Sequence, residues 1–81
     1  MNFKRRWNEV ERMILRAGVN EPGFWTARSI AERLKMSPNT ISNKAGIFRR
    51  MGFLVPNIST LEATELGRRK WAEFGGDDSH V

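Results

Sequence analysis

The sequence predicts a small, mainly α-helical domain with one short β-hairpin: a three-helix core, the hairpin, and a C-terminal helix. Three observations lead there. Apolar residues recur at helical spacing in successive short segments, capping residues or glycines bound those segments, and an alternating Leu/Ala pattern flanks Pro56-Asn57-Ile58-Ser59. At 81 residues the chain suits one domain, expected over residues 1–74, with GGDDSHV (75–81) as a flexible tail. A chain of this size buries only about 60–65% of its unfolded surface, so its core has to be efficient. There is no cysteine to staple it, which removes disulfides and most structural zinc sites and is compatible with the expected cytoplasmic location.

Taking the elements in order, Phe3, Trp7, Val10, Ile14 and Ala17 form one stripe and predict helix 3–17, with Gly18 as its stop. Pro22 and Gly23 then mark a turn, which leaves Phe24-Trp25 as a very short extended piece. Thr26 is placed to cap the helix ARSIAERLK, whose inner face is Ile30, Ala31 and Leu34; Trp25 and Ile30 stand at the positions of a hydrophobic staple. Only KMS separates this helix from the next. There Ser37 is the cap, Pro38 takes the first helical position, Met36 can staple to Ile41, and Ile41, Ala45, Phe48 and Met51 share one side. A connection this short between two amphipathic helices is the helix-turn-helix signature.

Gly52 ends the third helix. Two readings fit residues 53–74. One makes 53–56 and 60–63 the strands of a hairpin, with Leu54, Leu61 and Ala63 inward and Thr64 capping a last helix, ELGRRKWAEF. The other continues a single helix over 61–74, since Leu61 to Leu66 are acceptable helix formers. The hairpin is preferred.

The formal charge is +5, and residues 1–74, with 14 basic and 7 acidic side chains, carry +7. Residues 28–50 hold six Lys/Arg against one Glu, whereas 51–67 hold no base and two acids. An excess of this kind favours a polyanionic partner. No segment is apolar enough to span a membrane, and the N-terminus lacks the apolar region of a secretory signal. Enzyme chemistry is not expected. His80 is the only histidine and falls in the tail, no paired nucleophile and base can be assembled, and no phosphate-cradling glycine loop follows a strand. Neither a metal, nor a cofactor, nor a small-molecule effector is expected.

The run WTARSIAERLKMSPNTISNKAGIFRRMGFLV, followed by LEATELGRR (61–69), resembles the winged helix-turn-helix family of DNA-binding proteins, in particular the multiple-antibiotic-resistance-type (MarR-like) transcription regulators. The likeness covers residues 24–69. It implies a recognition helix at 38–51 and a wing at 53–63, although the wing tip PNIST carries none of the basic residues usual there.

With Ile41 at the centre of the buried side, Asn39, Asn43, Gly46 and Arg50 point outward, flanked by Ser42 and Ile47. Asparagine can pair with adenine in the major groove, an apolar side chain can touch a thymine methyl, and glycine lets backbone and DNA come close. The amides of 38–40 with the hydroxyls of Ser37 and Thr40 suit a phosphate, as do Lys44, Arg49 and Arg50 at the margins and Arg28 on the preceding helix. Asn57 at the wing tip completes the expected DNA-binding set. About five neutralised phosphates would give a slope of log K on log salt near −4 to −5. For Arg33 and Lys35 compensation of a helix dipole is an equal reading.

Trp7, Trp25 and Trp71 are read first as core, with a homodimer through Trp7, Trp71 and Phe74 as the alternative use. Sequence-specific double-stranded DNA binding by a small transcription regulator is therefore the expected function. The alternatives are a winged-helix protein-interaction module and an architectural replication or recombination factor.

Overall fold

The computed structural model describes residues 8–73, which form four helices: α1 (Glu9–Asn20), α2 (Ala27–Leu34), α3 (Pro38–Arg50) and α4 (Glu65–Glu73). The fold is mainly helical. Expectations that fall on Phe3, Trp7, Phe74 and residues 75–81 lie outside the described residues.

Each helix starts at a side chain that accepts a backbone N–H, which relieves one of the unpaired donors of the first turn. Asn8 and Glu11 form a reciprocal box at α1: the Glu11 N–H donates to Asn8 Oδ1 (2.8 Å) and the Asn8 N–H to Glu11 Oε1 (3.0 Å). Thr26 and Ser29 do the same at α2, at 3.1 and 2.8 Å. Ser37 Oγ accepts from the Asn39 N–H at α3 (3.2 Å), and Thr64 Oγ1 from the Gly67 N–H at α4 (3.0 Å). The start of α4 at Glu65 removes the reading of one continuous helix from residue 61.

Gly18 does not stop α1, which runs two residues further. A Cβ at Gly18 would lie 3.0 Å from both the Ala63 nitrogen and Leu54 Cδ2. The Gly18 carbonyl accepts from the Ala63 N–H (3.0 Å). The glycine is there because the 54–63 segment crosses directly against the helix.

That segment also departs from expectation. Strands at 53–56 and 60–63 are not formed: the β pairing among the described residues consists of two isolated antiparallel bridges, Leu54↔Ala63 and Thr26↔Thr60. The cause lies in the backbone. Pro56 has no N–H to donate, and Asn57 sits in the left-handed region at φ 66°. The returning segment also changes partner. The Val55 N–H donates to the Glu62 carbonyl, but the Leu61 N–H donates to Trp25 O (2.7 Å) and the Leu61 carbonyl accepts from the Gly23 N–H (3.0 Å).

The core is drawn from every element: Ile14 and Leu15 of α1, Ile30 and Ala31 of α2, Ile41, Ala45 and Phe48 of α3, then Phe53, Leu54, Leu61 and Trp71. Leu54, Leu61 and Ala63 are buried as the alternation predicts. Phe53 is buried as well, because Gly67 of α4 packs on its backbone; a Cβ at Gly67 would come within 2.0 Å of the Phe53 carbonyl oxygen. Met51, expected on the inner side of α3, is 51% exposed. It is the cap residue after the last helical turn, and the chain leaves through Gly52 at φ 86° before the side chain can reach the interior. Trp71 is buried, with the Arg12 guanidinium 5.7 Å from its ring centroid, and belongs to the core.

Candidate functional site

The outward side of α3 is a polar, exposed surface, and its orientation follows from the turn before it. Lys35 adopts a left-handed conformation (φ 59°, ψ 47°), and the Met36 N–H donates to the Ala31 carbonyl (2.9 Å). The chain therefore reverses within three residues and enters α3 through Ser37 in extended conformation, with Pro38 pre-set for the first turn. Ile41, Ala45 and Phe48 then face inward.

On the opposite side Asn39, Asn43 and Arg50 are exposed, at the i, i+4 and i+11 positions that stack along one line, and Gly46 fills the i+7 place. Nothing lies within 4 Å of where a Gly46 Cβ would stand. Close packing inside the protein therefore does not explain this glycine. Thr40, Ser42 and Ile47 are exposed beside the line, Ile47 at 40%. The surface is thus an amide-bearing ridge with a bare backbone patch, an arginine at its C-terminal end, and one accessible β-branched apolar side chain.

Several of the expected contacts sit elsewhere. The amides of 38–40 do not form an open anion cradle. Pro38 has no N–H, the Asn39 N–H is taken by Ser37 Oγ, and the Thr40 N–H donates to the Ser37 carbonyl (3.1 Å). What remains at the start of α3 is the hydroxyls of Ser37 and Thr40. Lys44 turns toward α1 and pairs with Glu11 (3.5 Å), a carboxylate only 4% exposed. Arg49 turns inward to the loop: its Nε donates to the Val55 carbonyl (3.2 Å), and one terminal nitrogen to the Ile58 (3.0 Å) and Thr60 (3.3 Å) carbonyls. Its donors hold 55–60 in shape instead of facing out beside Arg50. Arg28, by contrast, is exposed in the first turn of α2, and Asn57 is exposed at the loop tip.

Two features go beyond the sequence expectations. The Asn8-to-Glu11 box has a readable signature, an amide cap with Glu three residues on, and it also explains how Glu11 comes to lie under Lys44. The anchoring of the loop by Arg49 has no sequence signal, since it pairs a side chain with carbonyls 6 to 11 residues away.

Among the described residues no group of three or more His, Cys, Asp or Glu side chains is placed to hold a metal ion. Among them, too, no helix is long and apolar enough to cross a membrane. Comparison of the chain with protein-family models, with curated proteins and with solved structures returns no match.

Proposed function

We propose that this protein binds double-stranded DNA in a sequence-specific manner, with α3 in the major groove, and acts as a small transcription regulator of the winged helix-turn-helix kind. One observation carries the reading: Asn39, Asn43, Gly46 and Arg50 form a continuous open line on α3 while Ile41, Ala45 and Phe48 secure its other side. An α-helix fits the major groove. Asparagine amides match adenine N6 and N7, and a helix with a glycine at its centre can sit deeper against base edges. The exposed Ile47 is a partner for a thymine methyl. Arg28 and Arg50, together with the Ser37 and Thr40 hydroxyls, are left to meet phosphate, because Lys44 and Arg49 have partners within the protein. In this reading the 54–63 segment takes the place of the wing. Its tip is uncharged and held by Arg49, so it serves as a buttress beside α3 more than as a second reader.

Selection on randomised duplexes, with titration of the selected site and a random duplex, tests the proposal. Asn39→Ala with Asn43→Ala is expected to weaken the selected site by about 1–3 kcal/mol per lost bidentate contact and to leave random duplex nearly unchanged. Equal losses on both duplexes would indicate an architectural role. Absence of duplex binding by the wild type would favour a protein-interaction role for the same scaffold.

A further inference from the structure

We infer that the furrow between α1 and α2 is a docking site for an acidic amphipathic helical segment of a partner protein. Two adjoining cavities, of about 450 and 360 Å³, share Met13 and Arg16 and so form one furrow. None of its lining residues belongs to α3. The site is therefore independent of the DNA reading and can be occupied at the same time.

The walls arise from helical spacing. Glu9, Met13, Arg16 and Asn20 recur at i, i+4, i+7 and i+11, so one side of α1 borders the furrow over its whole 12 residues, about 18 Å at 1.5 Å per residue. Trp25 and Leu34, both half-buried, supply apolar surface toward its two ends. Trp25 is already ordered: its indole N–H donates to Glu21, and the Arg33 guanidinium lies 6.0 Å from its ring centroid. Tryptophan, arginine and methionine are the residue types enriched at protein interfaces, and anchors fixed before binding lose less entropy when they bind.

The charges choose the occupant. Arg16 and Arg33 border the first cavity and Arg12 and Arg16 the second, three cations in all, while the two carboxylates lie at the ends of α1, Glu9 in its first turn and Glu21 just past its last. Arg16 is exposed and has no carboxylate partner among the described residues. A nucleic-acid strand, charged at every step, would run its phosphates against Glu9 and Glu21. A helix of about 12 residues can instead place acidic side chains at its centre, over Arg16, and on toward Arg33 beside Trp25, with apolar ones against Trp25 and Leu34.

The test is a selection from a displayed library of random 14-residue peptides against the full chain, counter-selected on Arg16→Glu/Arg33→Glu. The winning peptide is then titrated into isotope-labelled wild type. The expected winners have central acidic residues flanked by apolar ones. They bind the double variant at least tenfold more weakly and shift the resonances of Met13, Arg16, Ala17 and the Trp25 indole. Failure to enrich any peptide over the counter-selection, or enrichment of neutral or basic ones, would overturn the assignment. So would peptide-induced shifts at Asn39, Asn43 and Arg50, which would mean generic anion binding by α3. The wild-type titration decides the matter even if the double variant does not fold.

Discussion

Gly46 concentrates the tension between stability and use at a single residue. A glycine inside a helix costs about 0.5–1 kcal/mol relative to alanine, and here no neighbour gains from the missing side chain. Gly46→Ala is therefore expected to raise unfolding free energy by about that amount in a denaturant titration. On the DNA reading the same change lowers affinity for the selected duplex about tenfold or more, equivalent to about 1.4 kcal/mol. A stabilised variant with undiminished affinity would remove the close backbone approach from the proposal. Arg49 presents the opposite case, a side chain whose charge suggests a ligand and whose geometry serves the fold. Three carbonyls converge on its planar fork, a pattern a lysine ammonium cannot reproduce from one position. Arg49→Lys keeps the charge, so it is expected to leave the salt dependence of binding nearly unchanged. It should cost about 1–3 kcal/mol in chemical denaturation through the lost charge-assisted bonds.

The helices are legible in the sequence because their signals are local. Thr26, Ser37 and Thr64 are found at the caps where the spacing places them, and Pro38 opens α3 as its fixed φ dictates. The Thr26 box is also the point where α2 meets the bridge to Thr60. Thr26→Ala is expected to lower stability by about 1 kcal/mol, read from the shift of the urea midpoint at constant slope. What is not legible depends on segments distant in sequence. Gly18 looks like a stop signal, but the crossing of Ala63 and Leu54 gives it another task. The alternation at 53–63 suggests paired strands, yet the pairing is divided between residue 54 with 63 and residue 60 with 26. At the candidate site the outward line of α3 is set by periodicity alone. The diversion of Lys44 to Glu11 and of Arg49 to the loop depends on which neighbours tertiary packing brings up.

For the whole molecule, the engagement of those two cations changes the expected electrostatics. Of the roughly five charged contacts expected, two, those of Lys44 and Arg49, are engaged within the protein. With about three phosphates neutralised, the slope of log K against log salt is expected near −3, shallower than the net charge suggests, and measurable by titration between 50 and 200 mM salt at about −0.9 per phosphate. The exposed pairs Arg69–Glu65 and Lys70–Glu73 on α4 contribute little to stability and hold four charges in local balance.

The double attachment of residues 60–64 has a further consequence. The approach to α2 is bolted to Leu61 through Gly23 and Trp25, and the exit from α3 is bolted to Thr64, whose N–H donates to Phe53 O and whose hydroxyl donates to Gly52 O. Both ends of the two-helix unit are thus moored to a stretch that lies outside it. Residues 26–51 are consequently not a portable cassette. Transplanted into another scaffold, they would bring their caps and their turn with them but leave behind the moorings that fix their angle to the rest of the protein.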